Sequence, residues 1–128
     1  GDINWFRDMI VATEERLPGI IGGEMLAPYY YLAGASGITT GVACLVPHIS
    51  LEQYRAAAKG DYRGALRIRD KLAPITKFRG KTGNTMLKAG LEMMGLAGGP
   101  IRETKAVMND EDRKILRKLL VELGALSG

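Results

Sequence analysis

Residues 17–47, LPGIIGGEMLAPYYYLAGASGITTGVACLVP, decide the fold of this chain. They contain two short apolar runs, residues 19–23 and residues 37–43. A segment from Pro28 to Gly34 separates the two runs, so the order predicts strand, helix and strand, a parallel βαβ unit. Ligands of parallel α/β folds bind at the carboxyl ends of the strands. We therefore expect any small molecule to bind at Gly22, Gly23, Glu24, Thr39, Thr40 and Gly41.

Helical spacing of apolar residues predicts helices on both sides of this unit. The first helix is expected from Ile3 to Leu17, where Pro18 stops it. Everything after Pro47 is predicted to be helical, because no further strand pattern follows. The expected helices run from a Ser50–Gln53 capping box to Lys59, from the cap Asp61 to a stop or kink at Pro74, from near Asn84 to Gly95, and from the cap Asn109 to Gly124, with a loop at residues 97–100.

The predicted strands are too few for an independent sheet. Two parallel strands do not form a stable sheet alone, and purely parallel sheets are covered on both faces. The sequence is therefore expected to be the back part of a (β/α)-type domain. Its other strands would lie upstream of Gly1 or on another chain.

Composition and charge favour a soluble, intracellular protein. The chain has 128 residues, 46% of them hydrophobic, and a formal charge of +4. Nine Lys or Arg residues lie between Arg55 and Lys81 against only Asp61 and Asp70; solvated helix faces explain such an excess more simply than nucleic acid does. The single cysteine, Cys44, excludes an internal disulfide and fits a reducing compartment. No run of about 18 uncharged apolar residues indicates a membrane span, and no signal peptide is recognised. No membrane or nucleic-acid partner is expected.

Several residues that resemble functional motifs are better explained as structural. Gly80-Lys81-Thr82 has the end of a phosphate-binding loop, but Ile75 stands where that motif needs a glycine. Adjacent side chains on a helix point about 100° apart, so the three tyrosines at 29–31 cannot all line one pocket, and one or two of them are expected to pack. His48 follows Pro47 in a predicted loop without partners for a metal ion, and no metal or other cofactor is expected.

Two other side chains have competing interpretations. Cys44 lies in an apolar run and is predicted to be a small buried residue rather than a nucleophile, because no basic neighbour would lower its pKa. Glu24 directly follows the glycines of the first predicted strand. It could accept hydrogen bonds from a hydroxylated substrate, or it could be an acidic residue in the first turn of a helix.

The order and spacing of seven segments are similar to those of a known family. The chain resembles the C-terminal part of the dihydrodipicolinate synthase and N-acetylneuraminate lyase family over essentially all 128 residues. The segments that carry the resemblance are Gly1-Asp2, Gly22-Gly23-Glu24, residues 33–41, Pro47, residues 56–61, Asn84 with Lys88, and residues 98–102.

The resemblance implies a (β/α)8 barrel, of which this chain supplies the last two strands and the C-terminal helices. Residues 1–47 would be the last βα units, and residues 48–128 the final barrel helix and a C-terminal helical segment, together one incomplete domain. Members are class I aldolases, lyases or dehydratases whose lysine forms a Schiff base with pyruvate or another 2-oxo acid. That lysine, which precedes a Gly-Asp like Gly1-Asp2, and the proton-relaying tyrosine would both lie upstream. The chain alone is therefore expected to be inactive.

The resemblance also implies roles for the strand ends. Gly22, Gly23 and Glu24 match the segment that faces the variable end of the substrate, and Thr39, Thr40 and Gly41 match positions that line the pyruvate pocket. Gly23 stands where synthases often carry an acid, and Cys44 where many members have asparagine. Residues 79–85 lack the prolines usual before the matched Asn84.

The substrate and the partners stay open at this stage. Dihydrodipicolinate synthase and an aldolase or dehydratase of a sugar-derived 2-oxo acid both fit. The family is commonly tetrameric and cytoplasmic, so a homotetramer is expected. An alternative of another class is a non-catalytic helical interaction module that uses the basic face between Arg55 and Lys81.

Overall fold

The computed structural model describes residues 2–14, 16–102 and 108–127. Strand β1 (Ile20–Gly22) and strand β2 (Gly37–Thr39) pair in parallel, with Ile20 opposite Gly37 and Gly22 opposite Thr39. Helix α2 (Ala27–Leu32) connects them. The predicted βαβ unit is therefore confirmed, and its short strands form the sheet of the described residues.

The two faces of this sheet differ. Side chains alternate along a strand, so Ile21 and Ile38 point to one face and Ile20 and Thr39 to the other. Ile21 is buried, whereas Ile20 is 60% exposed. The buried side belongs to the sheet-side cluster, whose buried members are Phe6, Ile10, Ile21, Ala27, Tyr30, Tyr31, Ala57 and Ala65. We call the opposite side the open face.

The second strand is shorter than the sequence predicted. It ends at Thr39, and residues Val42–Cys44 form a 3-10 turn. The Val42 N–H bonds to the Thr40 hydroxyl at 3.2 Å and to Glu24 Oε1 at 3.3 Å, so it has no place in a strand ladder. The turn directs Val42 inward and leaves Cys44 exposed. The prediction that Cys44 is buried was therefore wrong.

The helix at the start of the chain is shorter than predicted. Helix α1 covers Ile3–Ala12, and its N-cap Asp2 accepts a hydrogen bond from the Asn4 N–H at 2.8 Å. It does not reach Leu17, because Thr13 caps it and Glu14 takes a left-handed conformation with φ of 51°.

Two further helix boundaries also differ from the sequence prediction. Helix α3 covers Pro47–Ala58, with Pro47 in its first turn, so His48 is helical and Ser50 and Gln53 are buried inside it rather than forming a capping box. Helix α4 covers Tyr62–Thr82 and begins at the predicted cap Asp61. It continues through Pro74, although an internal proline costs about 3 kcal/mol.

Packing explains why α4 continues. Leu72 and Ile75 are fully buried on either side of Pro74, and Phe78 follows one turn later. All three belong to the helical core together with α5 (Asn84–Met93) and α6 (Asp110–Glu122), which begin near the predicted residues. The buried members of the helical core are Val42, Leu45, Val46, Ile49, Leu72, Ile75, Phe78, Met86, Ala89, Met108, Leu116, Leu120 and Leu123. In the described ranges no helix has the length and apolarity needed to cross a membrane.

Candidate active site

The two glycine-containing stretches at the strand ends lie side by side. Gly22 pairs with Thr39, and beyond the ladder the Gly23 N–H donates to the Thr39 carbonyl at 3.0 Å. Gly23 has a φ of +90°, a conformation that side chains beyond glycine rarely adopt. The structure thus brings the predicted residues 22–24 and 39–41 together at the carboxyl edge of the sheet.

Glu24 connects these two stretches. Its side chain is only 1% exposed, and Oε1 accepts the Val42 N–H at 3.3 Å. The same amide also reaches the Thr40 hydroxyl, so the carboxylate and the hydroxyl share one donor. Helix α2 has Leu26 as its N-cap and no acidic residue in its first turn, so the first-turn interpretation of Glu24 was wrong. Glu24 fastens the loop after β1 to the turn after β2, and contact with a substrate stays a prediction.

The open face provides free space beside this edge. A Cβ added at Gly22 or at Gly37 would meet no atom within 4 Å. Thr39 is exposed on the same face, while Thr40 and Gly41 are half-buried. A ligand that lies against this face would therefore reach the Thr39 side chain and the backbone of Gly22.

A basic side chain from the helical segment lies next to the carboxyl end of β2. A Cβ added at Gly41 would come within 2.8 Å of both Cζ and Nη2 of Arg79, and within 2.7 Å of Leu87 Cδ1. Because residue 41 has no side chain, the guanidinium of α4 can lie close to its backbone here. From the sequence Arg79 is only one member of a basic run, because a contact over 38 positions leaves no periodic signal.

Other basic residues of α4 have structural contacts. Arg69 donates from Nε to the Met25 carbonyl at 3.3 Å and so holds the loop that follows Glu24. Lys81 pairs with Asp112 of α6 at 2.9 Å. The basic run therefore fixes the chain's own loops and helices in part, which does not favour the interaction-module alternative.

The three tyrosines of α2 have different environments. Tyr30 packs edge to face on Phe6 with ring centroids 5.0 Å apart, and Tyr31 packs on Tyr54 at 5.7 Å. Burial, with a smaller effect of Tyr54, raises the pKa of Tyr31 to about 12. Tyr29 is exposed. The prediction that one or two of them pack is confirmed, and they do not converge on one pocket.

The remaining candidate residues lie away from the sheet edge. His48 Nε2 is 3.3 Å from the Leu123 carbonyl at the end of α6, which is a structural contact. The Gly80-Lys81-Thr82 segment lies inside helix α4, so it is not the loop that a phosphate-binding motif would form. Within the described ranges, no three His, Cys, Asp or Glu side chains are grouped closely enough to hold a metal ion.

The lysines do not lie at strand ends in the part of the chain that the structure describes. Lys59 caps α3, and the others lie in helices: Lys71, Lys77, Lys81, Lys88, Lys114 and Lys118. Lys105 lies outside the described residues. The described residues therefore offer no lysine at the carboxyl edge of β1 and β2.

Comparison with known proteins identifies relatives of the whole chain. The sequence model of the dihydrodipicolinate synthetase family matches residues 1–123. An uncharacterised DapA-like lyase of Pyrobaculum neutrophilum is 32% identical, with 98% of this chain and 45% of the relative covered. A 4-hydroxy-tetrahydrodipicolinate synthase of Methanothrix thermoacetophila is 31% identical, with 100% of this chain and 44% of the relative covered. The chain thus spans less than half the length of these relatives.

Solved structures agree with the sequence comparison. The structure of a proposed dihydrodipicolinate synthetase from Pseudomonas aeruginosa superposes with a TM-score of 0.85 at 30% sequence identity. The superposition covers 95% of this chain and 42% of that protein. The fold is therefore the C-terminal part of a (β/α)8 barrel, with its last two strands followed by the C-terminal helices.

Proposed function

This chain belongs to the dihydrodipicolinate synthetase family, and from that membership we propose that it is part of a class I lyase or synthase that forms a Schiff base with a 2-oxo acid such as pyruvate. One observation of the structure carries the proposal beyond the family match. Residues 22–24 and 39–41, which are distant in sequence, meet at the carboxyl edge of the sheet beside an open face. That edge is where (β/α)8 enzymes bind their substrates.

The proposed roles follow from exposure. Thr39 and the Gly22 backbone lie on the open face and would contact the substrate directly. Glu24 and Thr40 share the Val42 amide, so they would act mainly by holding the two loops in place. Gly23 would form the turn after β1 through its positive φ, and Gly41 would leave room for Arg79 beside the backbone.

The Schiff base itself would need a lysine that the described residues do not place at the edge. We propose that it comes from a strand preceding Gly1. Its amine would attack the keto carbon of the 2-oxo acid and expel water to form an imine. The imine would then act as an electron sink, so that the neighbouring carbon could lose a proton and add to an aldehyde. In this proposal the chain of 128 residues is inactive without that lysine.

The proposed substrate is a broad class of compounds rather than one molecule. Gly23 cannot supply the acidic group that synthases often carry at this position. A sugar-derived 2-oxo acid, cleaved or dehydrated, is therefore as suitable as the substrates of dihydrodipicolinate synthase. The proposal includes no metal or organic cofactor, since the imine that the lysine forms supplies the electron sink.

The proposed partners follow from the open face. The rest of a barrel, from the same chain or a second one, would cover Ile20 and the neighbouring apolar groups. A homotetramer in the cytoplasm is the assembly and compartment that we propose for the complete protein.

Mass spectrometry tests the proposal directly. The complete gene product is incubated with pyruvate and borohydride, which reduces an imine to a stable amine, and its intact mass is compared with that of a sample without pyruvate. One reduced pyruvate adduct per chain, located by peptide mapping on a lysine outside residues 1–128, is the expected result. A saturating pyruvate concentration that leaves the mass unchanged would refute Schiff-base chemistry with pyruvate.

A further inference from the structure

The guanidinium of Arg79 lies beside Gly41 at the candidate active site and has no partner among the described residues. It lies in the last turn of α4 against Gly41, two residues beyond the end of β2. Its side chain is half-buried. Within residues 2–14, 16–102 and 108–127 it forms neither a hydrogen bond nor an ion pair. A partly dehydrated cation with unused donors is thus held at the substrate edge.

The neighbouring cations of the same helix are arranged differently. Arg69 uses its donors on the Met25 carbonyl and on Asp70, and Lys81 uses its ammonium on Asp112. Of these three, Arg79 is the one whose donors have no partner in the part of the chain that the structure describes. A guanidinium has five N–H groups in a planar fork that matches a carboxylate, and such charge-assisted pairs are stronger than neutral hydrogen bonds.

Gly41 and Leu87 explain why the guanidinium stays there. Leu87 Cδ1 and the Arg79 fork both occupy the space that a side chain at residue 41 would need. An apolar group thus lies close to the cation, and a less polar environment strengthens the attraction of a cation to an anion. Any larger residue at position 41 would displace the guanidinium.

We propose that Arg79 is a specificity-determining residue that binds a carboxylate of the 2-oxo acid substrate. The inference rests on the proposed function, because it takes the edge of β2 as the substrate site. The carboxylate can be the one next to the keto group or a second one at the distal end of the substrate. Both present the same planar oxyanion to the guanidinium.

A purely structural role for Arg79 predicts different behaviour. A cation in the last turn of a helix stabilises the helix dipole by about 0.3–1 kcal/mol, and its methylene groups add packing. Either effect would change the melting temperature. Neither would change the affinity for an anion.

The test uses variants of the complete gene product. Arg79→Met removes the fork and keeps the stem, Arg79→Lys keeps the charge without the fork, and Gly41→Ala displaces the guanidinium. Lys77→Met is the matched control, since Lys77 is an exposed cation two residues away on the same helix. Borohydride trapping gives the half-saturating concentration of pyruvate, which has one carboxylate, and of 2-oxoglutarate, which has two.

Arg79→Met is expected to raise the half-saturating concentration roughly ten- to hundredfold. Arg79→Lys and Gly41→Ala should raise it less than Arg79→Met, and Lys77→Met should leave it unchanged. An equal rise for both acids assigns Arg79 to the carboxylate next to the keto group. A rise for 2-oxoglutarate alone assigns it to the distal carboxylate. Unchanged values for both acids would overturn the proposal, even if the melting temperature fell.

A second readout separates this inference from the proposed function. The amide resonance of Gly41 is followed by NMR while pyruvate, 2-oxoglutarate or sodium chloride is added at equal ionic strength. A saturable shift with either 2-oxo acid that is lost in Arg79→Met supports the anion site even if the wild type traps no imine. The same shift in wild type and Arg79→Met, or a shift that chloride reproduces, would refute it.

Discussion

The helical core and the sheet-side cluster differ in how completely the chain covers them. Leu72, Ile75 and Leu116 of the helical core have no exposed surface, because α3, α4, α5 and α6 surround them. The sheet is covered on one side only, by the sheet-side cluster with residues from α1 to α4, and on its open face Ile20 remains 60% exposed. The helical segment therefore satisfies its own packing. The βαβ unit presents both the candidate active site and an apolar surface that needs cover.

The largest effect is expected in the helical core. Leu116→Ala should lower the free energy of unfolding by about 3 kcal/mol, since a fully buried leucine leaves both lost burial and a cavity. Ile115 precedes it in α6 but is 37% exposed, so Ile115→Ala should cost about 1 kcal/mol or less. Urea denaturation of both variants measures the difference. Equal losses would show that the helical core is not the tightly packed region of the chain.

Raising the pH above 10 is expected to lower the free energy of unfolding through Tyr31 of the sheet-side cluster. Burial, together with Tyr54, raises the pKa of Tyr31 from 10.0 to about 12. Its raised pKa means that the folded state keeps the phenol proton that the unfolded state loses, so stability is unaffected below pH 10 and falls between pH 10 and 12. The slope of that loss is about 1.4 kcal/mol for each pH unit.

Comparison with Tyr31→Phe isolates this titration. The difference in unfolding free energy between wild type and Tyr31→Phe should change by the stated slope above pH 10, since phenylalanine has no proton to lose. The Tyr31 hydroxyl is buried without a hydrogen-bond partner in the described residues, so at neutral pH the variant should be neutral or slightly more stable. Tyr29→Phe is the control, because it removes the hydroxyl of an exposed tyrosine of the same helix. A Tyr31→Phe curve parallel to wild type up to pH 12 would contradict the assignment.

A smaller effect is expected from the carboxylate that joins the two strand ends. Glu24→Ala removes one acceptor of the buried Val42 N–H but leaves the Thr40 hydroxyl, so it should cost about 1–2 kcal/mol. Glu24→Gln keeps an acceptor oxygen and should cost less. Hydrogen exchange of the Val42 amide should accelerate in Glu24→Ala and change less in Glu24→Gln. An unchanged exchange rate in Glu24→Ala would leave Glu24 without the structural role assigned to it.

The sequence predicted the features that depend on local pattern. The βαβ unit, the caps Asp61 and Asn109, and the start of α5 near Asn84 were confirmed, because alternation, capping residues and helical spacing act within a few positions. Family resemblance supplied the barrel, which two strands could not have shown. The division at residue 47 stays a prediction. Packing does not follow it strictly, since Val42 lies in the helical core and Ala57 in the sheet-side cluster.

The predictions that failed depended on distant contacts. A stop at Pro74 was wrong, because α4 continues through it and the burial of Leu72 and Ile75 outweighs the lost hydrogen bond, whereas a kink there stays a prediction. Cys44 is exposed, because the Val42 amide bonds to Glu24 and turns the chain before it. At the candidate site, residues 22–24 and 39–41 could be paired from the sequence. The contact of Arg79 with Gly41 could not, since it depends on how α4 and α5 pack.

The smallest effect is expected on the open face, and it tests what that face is for. Ile20→Thr keeps a β-branched residue in β1, so strand propensity changes little. With 60% of the Ile20 side chain already exposed, the change should alter the unfolding free energy of the 128-residue chain by about 0.5 kcal/mol or less. In a complete barrel the same side chain would be covered, and the loss should rise to about 1–3 kcal/mol because a hydroxyl would be buried without a partner. Leu17→Thr is the control, since Leu17 is comparably exposed but lies outside both strands. If Ile20→Thr costs as little in the complete gene product as in the 128-residue chain, the open face is exposed to solvent there too. That result would contradict a closed barrel around the proposed site and would leave the substrate edge uncovered.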